Sequence, residues 1–316
     1  MRAPTILRSL PLRPRTVTPL PESTRFDREL TAELRSQGIT SGEIGLARLL
    51  DAAITTQKIA LDFLVNISYR DDADRVAVDK YLEDNIEILD ACNYFVDRMD
   101  TINEYVDSLR VAVHLLDRGN SVTKRNNDLA QTRALEVLES CQSMLKRCKA
   151  KESGGSCLKK MLRQKLCHET QLSEVMCGSK AMALMCCRFL ELGLAFDSSK
   201  RGLPLMKLSH PTSCSWVRVL QELAKQAEGS GKKNRRGYWS SLLMAELQQT
   251  VTAARELKEQ MKAKREKEIK FAVERLKISC KELEHGLEIV EERVKNLYKS
   301  LIHVRMTLLG ILSQSI

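Results

Sequence analysis

With 316 residues, 43% of them hydrophobic, the chain can bury one large core or two ordinary ones, which excludes wholesale disorder. Aromatics at 4% argue against β-sandwiches and barrels that lean on them, whereas the abundance of Leu, Ala, Glu, Lys and Arg suits helices. The net charge of +10 invites a nucleic-acid or anionic-membrane reading, but twelve acids against three bases between Asp71 and Asp107 put −9 there and leave +19 on the rest.

Residues 1–22 form a separate N-terminal segment. Residues 1–21 hold Pro4, Pro11, Pro14, Pro19 and Pro21 with Arg2, Arg8, Arg13 and Arg15 and no acid, a composition shared by disordered tails and organelle transit peptides. Helices follow. Phe26–Ser36 is short and stops at Gly38, and Thr40 with Glu43 makes a capping box that opens a helix running to about Ile67. A long acidic helix starts at Asp72 or Asp74. Its apolar stripe is Leu82, Ile86, Leu89, Val96, Met99, Ile102, Val106, Leu109, Val113 and Leu116. Asn93 is the polar step in that stripe, a register-fixing residue at some cost in stability, and the four–three alternation slips at Val96, Met99 and Ile102.

Helices are then expected over Asp128–Lys149 and, as one element, from Leu158 to about Gly193, with a breaker at 151–155. Ala181–Phe196 is the most apolar stretch, but it is too short to span a bilayer and is interrupted by Arg188 and Glu191, so it reads as a buried helix. Residues 146–165 carry eight bases with no aromatic interleaved to stack on bases, which suits a solvated face or a partner for the acidic helix rather than sequence-specific nucleic acid. A Trp-containing helix spans Ser213–Ala227, and residues 229–237 read as a basic, flexible linker between a bundle (23–228) and a C-terminal long helix (238–316). That last helix has the cleanest pattern. Ile269, Val273, Leu276, Cys280, Leu283, Leu287, Val290, Val294, Leu297, Leu301, Val304, Leu308 and Ile311 alternate steps of four and three, a seam for its own bundle or for a second copy. The polar run 258–268 lacks such a stripe, so the helix breaks or stands clear of the core there.

No chemistry emerges from the residue pattern. The five histidines do not pair at metal spacing, and Cys157, Cys167 and His168 lack CxxC or CxxH spacing. No nucleophile elbow, zinc-protease or phosphate-loop motif is present. Catalytic, cofactor-binding and metal-binding residues are therefore all assigned as none. The ten cysteines, set within apolar helical stripes, read as free buried thiols of a reducing compartment.

Two stretches resemble the plant BYPASS family. One is Tyr81-Leu82, Ile88-Leu89-Asp90 and Cys92-Asn93, followed by 111–116. The other is Glu282-Leu283, Gly286-Leu287-Glu288, Val290, Val294, Tyr298-Lys299, Leu301, Arg305 and Leu308-Leu309, and the segment around Trp216 is similar too. The resemblance implies a helical plant protein with no known catalytic residues, associated with root and shoot development and with control of a mobile root-derived signal. A related branch interacts with an exocyst subunit, so the alternative is a peripheral membrane or vesicle-tethering factor using the basic segments 146–165, 232–236 and 258–267. The expectation is thus an all-α, elongated helical bundle, non-enzymatic, with protein partners and self-association through the 269–311 seam. It would be cytoplasmic, with peripheral membrane contact, or plastidial through a transit-like segment at residues 1–22.

Overall fold

The structure, a computed structural model, describes residues 24–37, 45–66, 72–119, 124–151, 161, 170–196, 214–233 and 244–314. The chain is all-α, and its described helices are α1 (Arg25–Ser36), α2 (Leu46–Leu64), α3 (Asp72–Gly119), α4 (Lys124–Lys151), α5 (Gln171–Gly193), α6 (Ser215–Lys233), α7 (Met244–Lys262) and α8 (Glu266–Gln314). Two antiparallel helices, α3 and α8, run the length of the molecule, about 70 Å at 1.5 Å per residue. Around one half of this pair pack α2 and α5, and around the other half pack α4 and α7. The result is two four-helix bundles set end to end on a shared pair, with α1 and α6 bracing the α2–α5 end.

The stripe on α3 differs from the one expected. The central buried row is Val78, Tyr81, Asn85, Ile88, Cys92, Phe95, Met99, Ile102, Val106, Leu109, Val113 and Leu116, which alternates steps of three and four without interruption, with further buried residues such as Leu82, Ala91, Tyr105 and Ala112 beside it. Asn93 is exposed, Ile86 is 46% exposed, and the polar residue inside the stripe is Asn85. The slip expected at Val96–Ile102 therefore disappears: Leu89 and Val96 lie half-buried on the flank of the stripe, and Phe95 takes the place assigned to Val96.

The expected single helix from Leu158 is corrected at Thr170. That residue is extended (φ −120, ψ 162) and begins a new helix, its side chain accepting from Ser173 N while Ser173 Oγ accepts from Thr170 N. The C-terminal stretch, expected to break or stand clear of the core within 258–268, breaks there into two helices. A turn at Ala263–Arg265 reverses the chain within the polar run, closed by Lys264 N donating to Met261 O at 3.1 Å and Arg265 N to Gln260 O at 3.3 Å. This is a Schellman-type stop with Lys264, at φ 53, standing where glycine is usual. Helix α6 continues to Lys233, into the stretch read as a linker. Helix α2 opens at Gly45 without a side-chain cap, and the Thr40–Glu43 box lies outside the described residues.

The seam on α8 is used within the chain. From Leu276 to Leu308 its members are 0–4% exposed, packed on α2, α3 and α7. Helix α5 is buried on nearly all sides, including Ala181–Phe196, as a core helix should be. At Gly178 an added Cβ would stand 2.7 Å from the Phe26 ring, so this glycine is what lets α1 lie directly on α5. No described helix is long and apolar enough to cross a membrane.

Candidate functional site

A polar belt crosses the core where α2, α3 and α5 meet. Tyr81 Oη and Ser179 Oγ share a hydrogen bond of 2.7 Å, Ser179 Oγ donates to Gln57 Oε1 at 2.5 Å, and Gln57 Nε2 donates back to the Ser179 carbonyl at 3.1 Å. One helical position along, Lys180 pairs with Asp84, both buried. Toward the helix starts, Thr170 Oγ1 donates to Asp74 Oδ1 at 2.7 Å. Asn85 is fully buried beside Tyr81, but among the described residues no donor or acceptor meets its amide at hydrogen-bonding geometry. Each bond joins helices about a hundred residues apart in sequence, so the belt fixes the register of α3 against α5 and of α5 against α2. With its members enclosed, it offers no route for substrate.

Burial pushes the Tyr81 phenol up to about 12, against the opposing influence of its hydrogen-bond partner Ser179 and of the neighbouring Asn85 amide. Burial likewise raises the thiols of Cys141 to about 11 and Cys280 to about 12. All three keep their protons in the folded chain at pH values where the unfolded chain releases them. Their stabilising contribution is complete below the unfolded values, near 9 for the thiols and 10 for the phenol, and is lost as pH rises through the folded ones. Folding free energy should therefore fall between pH 9 and 12, with Tyr81 supplying roughly 2–3 kcal/mol of the fall. Urea titrations of wild type and Tyr81→Phe at pH 8 and 12 check this: the variant starts lower, having lost the bond to Ser179, but loses less with alkali. Equal losses would refute the assignment.

A second cluster ties α1, α5 and the start of α6 together. Asp27, Glu174 and Cys214 are buried, with their ligand-type atoms within 4.8 Å of one another. The geometry would admit a cation, but the donors are already committed. Asp27 Oδ1 accepts from Ser215 N at 2.6 Å and Trp216 N at 3.0 Å, capping α6, and Glu174 Oε1 accepts from Thr24 Oγ1 at 3.0 Å and Cys214 Sγ at 3.4 Å. The cluster is a hydrogen-bonded joint. Cys157, Cys167 and His168 lie outside the described residues.

The eight described cysteines are buried thiols, with no disulfide among the described residues. The vicinal pair Cys186–Cys187 faces Cys92 of α3. Burial raises Cys186 well above the ordinary thiol value, and a hydrogen bond to Cys92, with burial, does the same for Cys187. Protonated thiols in an apolar core are poor nucleophiles, so these side chains pack rather than react.

The surface carries two features of note. Glu83, Asp90, Asp97 and Glu104, seven residues apart, form an exposed acidic row down α3, beside Ile86 and Tyr94, each 46% exposed. Part of the helix's acidity is answered inside the chain, by Lys180 on Asp84, Arg110 on Asp107 and Lys277 on Asp117, but this row faces solvent. At the α7–α8 turn, Lys262, Lys264, Arg265, Lys267 and Lys270 are exposed around Phe271, itself 78% exposed. The basic stretches 152–160 and 234–236 lie outside the described residues.

The two stretches that resemble BYPASS proteins meet in space. Arg305 of α8 donates to the backbone carbonyl of Leu82 on α3 at 2.6 Å, and Leu283, Leu287, Val290, Val294 and Leu301 are seam residues turned inward. A family model described as "Protein BPS1" matches residues 66–311. The chain belongs to the BPS1 family. No curated protein and no solved structure matches it. The BPS1 match takes in Tyr81, Asp84, Asn85, Ser179 and Lys180 but begins after Gln57, so the belt's α2 member lies outside the matched region. Sequence reading missed the belt, and the only signal was a polar residue in the apolar phase of each helix: Gln57, Asn85 and Ser179.

Proposed function

We propose that this BPS1-family chain is a non-enzymatic adaptor that works by binding other proteins in plant root and shoot development, including control of a mobile root-derived signal, as its BYPASS resemblance implies. The observation that supports contact with a partner is the row Glu83, Asp90, Asp97 and Glu104, interleaved with half-exposed Ile86 and Tyr94 on one outward face. Such a face suits a basic, amphipathic partner surface, whose charges find the row while its apolar groups cover Ile86 and Tyr94. The site of action in this reading is the cytoplasm.

A second reading, peripheral binding to anionic membrane, draws on the turn at Lys264 with Phe271 standing among lysines. Insertion of one exposed aromatic with four or five cations near the headgroups is how such tips hold a bilayer. One experiment separates the two. Wild type and a variant with the four row acids changed to Lys are used as bait in plant-tissue extract and mixed with phosphatidylserine vesicles. A defined set of proteins lost with the row variant, at unchanged melting temperature, supports the adaptor. The same set captured by both baits overturns it. Salt-sensitive vesicle binding that Phe271→Ser abolishes selects the membrane reading instead.

A further inference from the structure

Two helices each leave a pair of large apolar side chains uncovered on an outer face. On α3 these are Ile86 and Tyr94, each 46% exposed, and on α8 they are Phe271 and Ile278, 78% and 57% exposed. The first pair is eight residues apart and the second seven. At 1.5 Å of rise per residue the two intervals are about 12 and about 10.5 Å, so the pairs have nearly the same span.

The charges around the two pairs are opposite. Ile86 and Tyr94 are interleaved with exposed Glu83, Asp90 and Asp97, and Phe271 and Ile278 with exposed Lys267, Lys270 and Lys281. None of these six charges forms an ion pair among the described residues, whereas Glu274 and Arg275 between them are taken up by Lys277 and Glu256. Laid along each other, the strips set apolar on apolar and ammonium on carboxylate, while two copies of the same strip would repel. They cannot meet within one molecule. Lys277 of α8 is level with Asp117, which is 27 residues, or about 40 Å of straight helix, from Asp90.

We propose that the α3 strip of one copy takes the α8 strip of a second copy of this chain. Ile86 and Tyr94 pack on Phe271 and Ile278, and Glu83, Asp90 and Asp97 meet Lys267, Lys270 and Lys281. This rests on reading the acidic row as a protein-contact face and names one partner for it; the adaptor reading stands without it. A single such contact leaves the row of one copy open to other proteins. About four helical turns from each side fall short of a standard interface, so the pairing is weak, on the order of tens of micromolar, and sensitive to salt.

The test is sedimentation velocity of the full chain at concentrations up to about 200 µM, in about 50 mM and about 500 mM salt. The expected result is self-association at low salt that weakens about tenfold or more at high salt. The triple variants Glu83→Lys/Asp90→Lys/Asp97→Lys and Lys267→Glu/Lys270→Glu/Lys281→Glu should each weaken it about tenfold or more, and Phe271→Ser/Ile278→Ser several-fold. All these side chains are exposed, so the variants should keep the wild-type melting temperature. Mixing the two charge-reversed variants should restore association, because the reversed row of one then matches the reversed strip of the other. A wild type that is monomeric at low salt, a mixture that fails to recover, or a Lys→Glu variant that still self-associates overturns the proposal, the last by giving the row to another basic segment. A monomeric wild type whose captured extract proteins are lost with the row variant overturns it and leaves the adaptor reading standing. A monomer that binds phosphatidylserine vesicles through Phe271 overturns it in favour of a bilayer.

Discussion

Replacing Lys180 by Met is expected to cost roughly 3–5 kcal/mol, because it leaves the Asp84 carboxylate enclosed without its counter-charge. The melting midpoint should fall by roughly 6–20 °C. Asp84→Leu alone should be comparably damaging for the mirror reason, whereas the double variant Lys180→Met/Asp84→Leu should recover most of the loss, since two apolar side chains of similar bulk need no solvation. The exposed pair Arg110–Asp107 serves as control, since breaking a surface i,i+3 pair costs only a few tenths of a kcal/mol. A double variant as unstable as the sum of the singles would show that the two residues act independently and that the belt is not a unit.

The larger effect belongs to the α8 seam. Leu297 is fully buried at the point where its seam faces the chain's own helices, so Leu297→Ala should cost about 2–5 kcal/mol through lost transfer energy and an unfilled cavity. Leu297→Asp adds an unpaired charge to that loss and should exceed the 5–15 kcal/mol available to a typical domain, leaving no cooperative melt by circular dichroism. Leu287→Asp should behave alike. Phe271→Ser, on the same helix but exposed, should melt as wild type does. A normal melt for Leu297→Asp would mean that the seam is not the spine of this fold. Because α2, α3 and α7 already occupy it, a second copy would have to displace them in order to pair through it.

The helical class, the long acidic helix and the α8 seam were legible because apolar residues repeat at steps of three and four with no proline to interrupt them. What was not legible has local causes. Around residues 81–96 the buried surface of α3 is two rows wide, one row turned to α5 and one to α8, and Leu82, Leu89 and Val96 belong to the flank. A reading that prized Leu, Ile and Val over Cys and Phe followed the flank, and so named Asn93 in place of Asn85. The start of α5 was hidden because its capping box uses Ser173 at the third position, where glutamate or glutamine is the usual sign. The stripe-less run 258–268 marked the interruption before α8, but its full reversal was hidden because Lys264 takes a left-handed conformation that normally announces itself with glycine. The belt and the Asp27–Glu174–Cys214 joint could not be read at all, since their partners are far apart along the chain and no spacing rule links them.

The shared α3–α8 pair has a consequence for distance. Asp74 stands at the end where α1, α5 and α6 are joined, and Asp117 at the end where Lys277 and the hairpin turn lie. The interval between them is one unbroken helix of about 65 Å, with the antiparallel α8 as a second strut alongside it. Whatever engages the two ends is held at that span, as by a calliper that does not close. The span is also quantised: both struts keep their seams in phase only in steps of seven residues, so a change in reach must come in whole heptads and in both helices together.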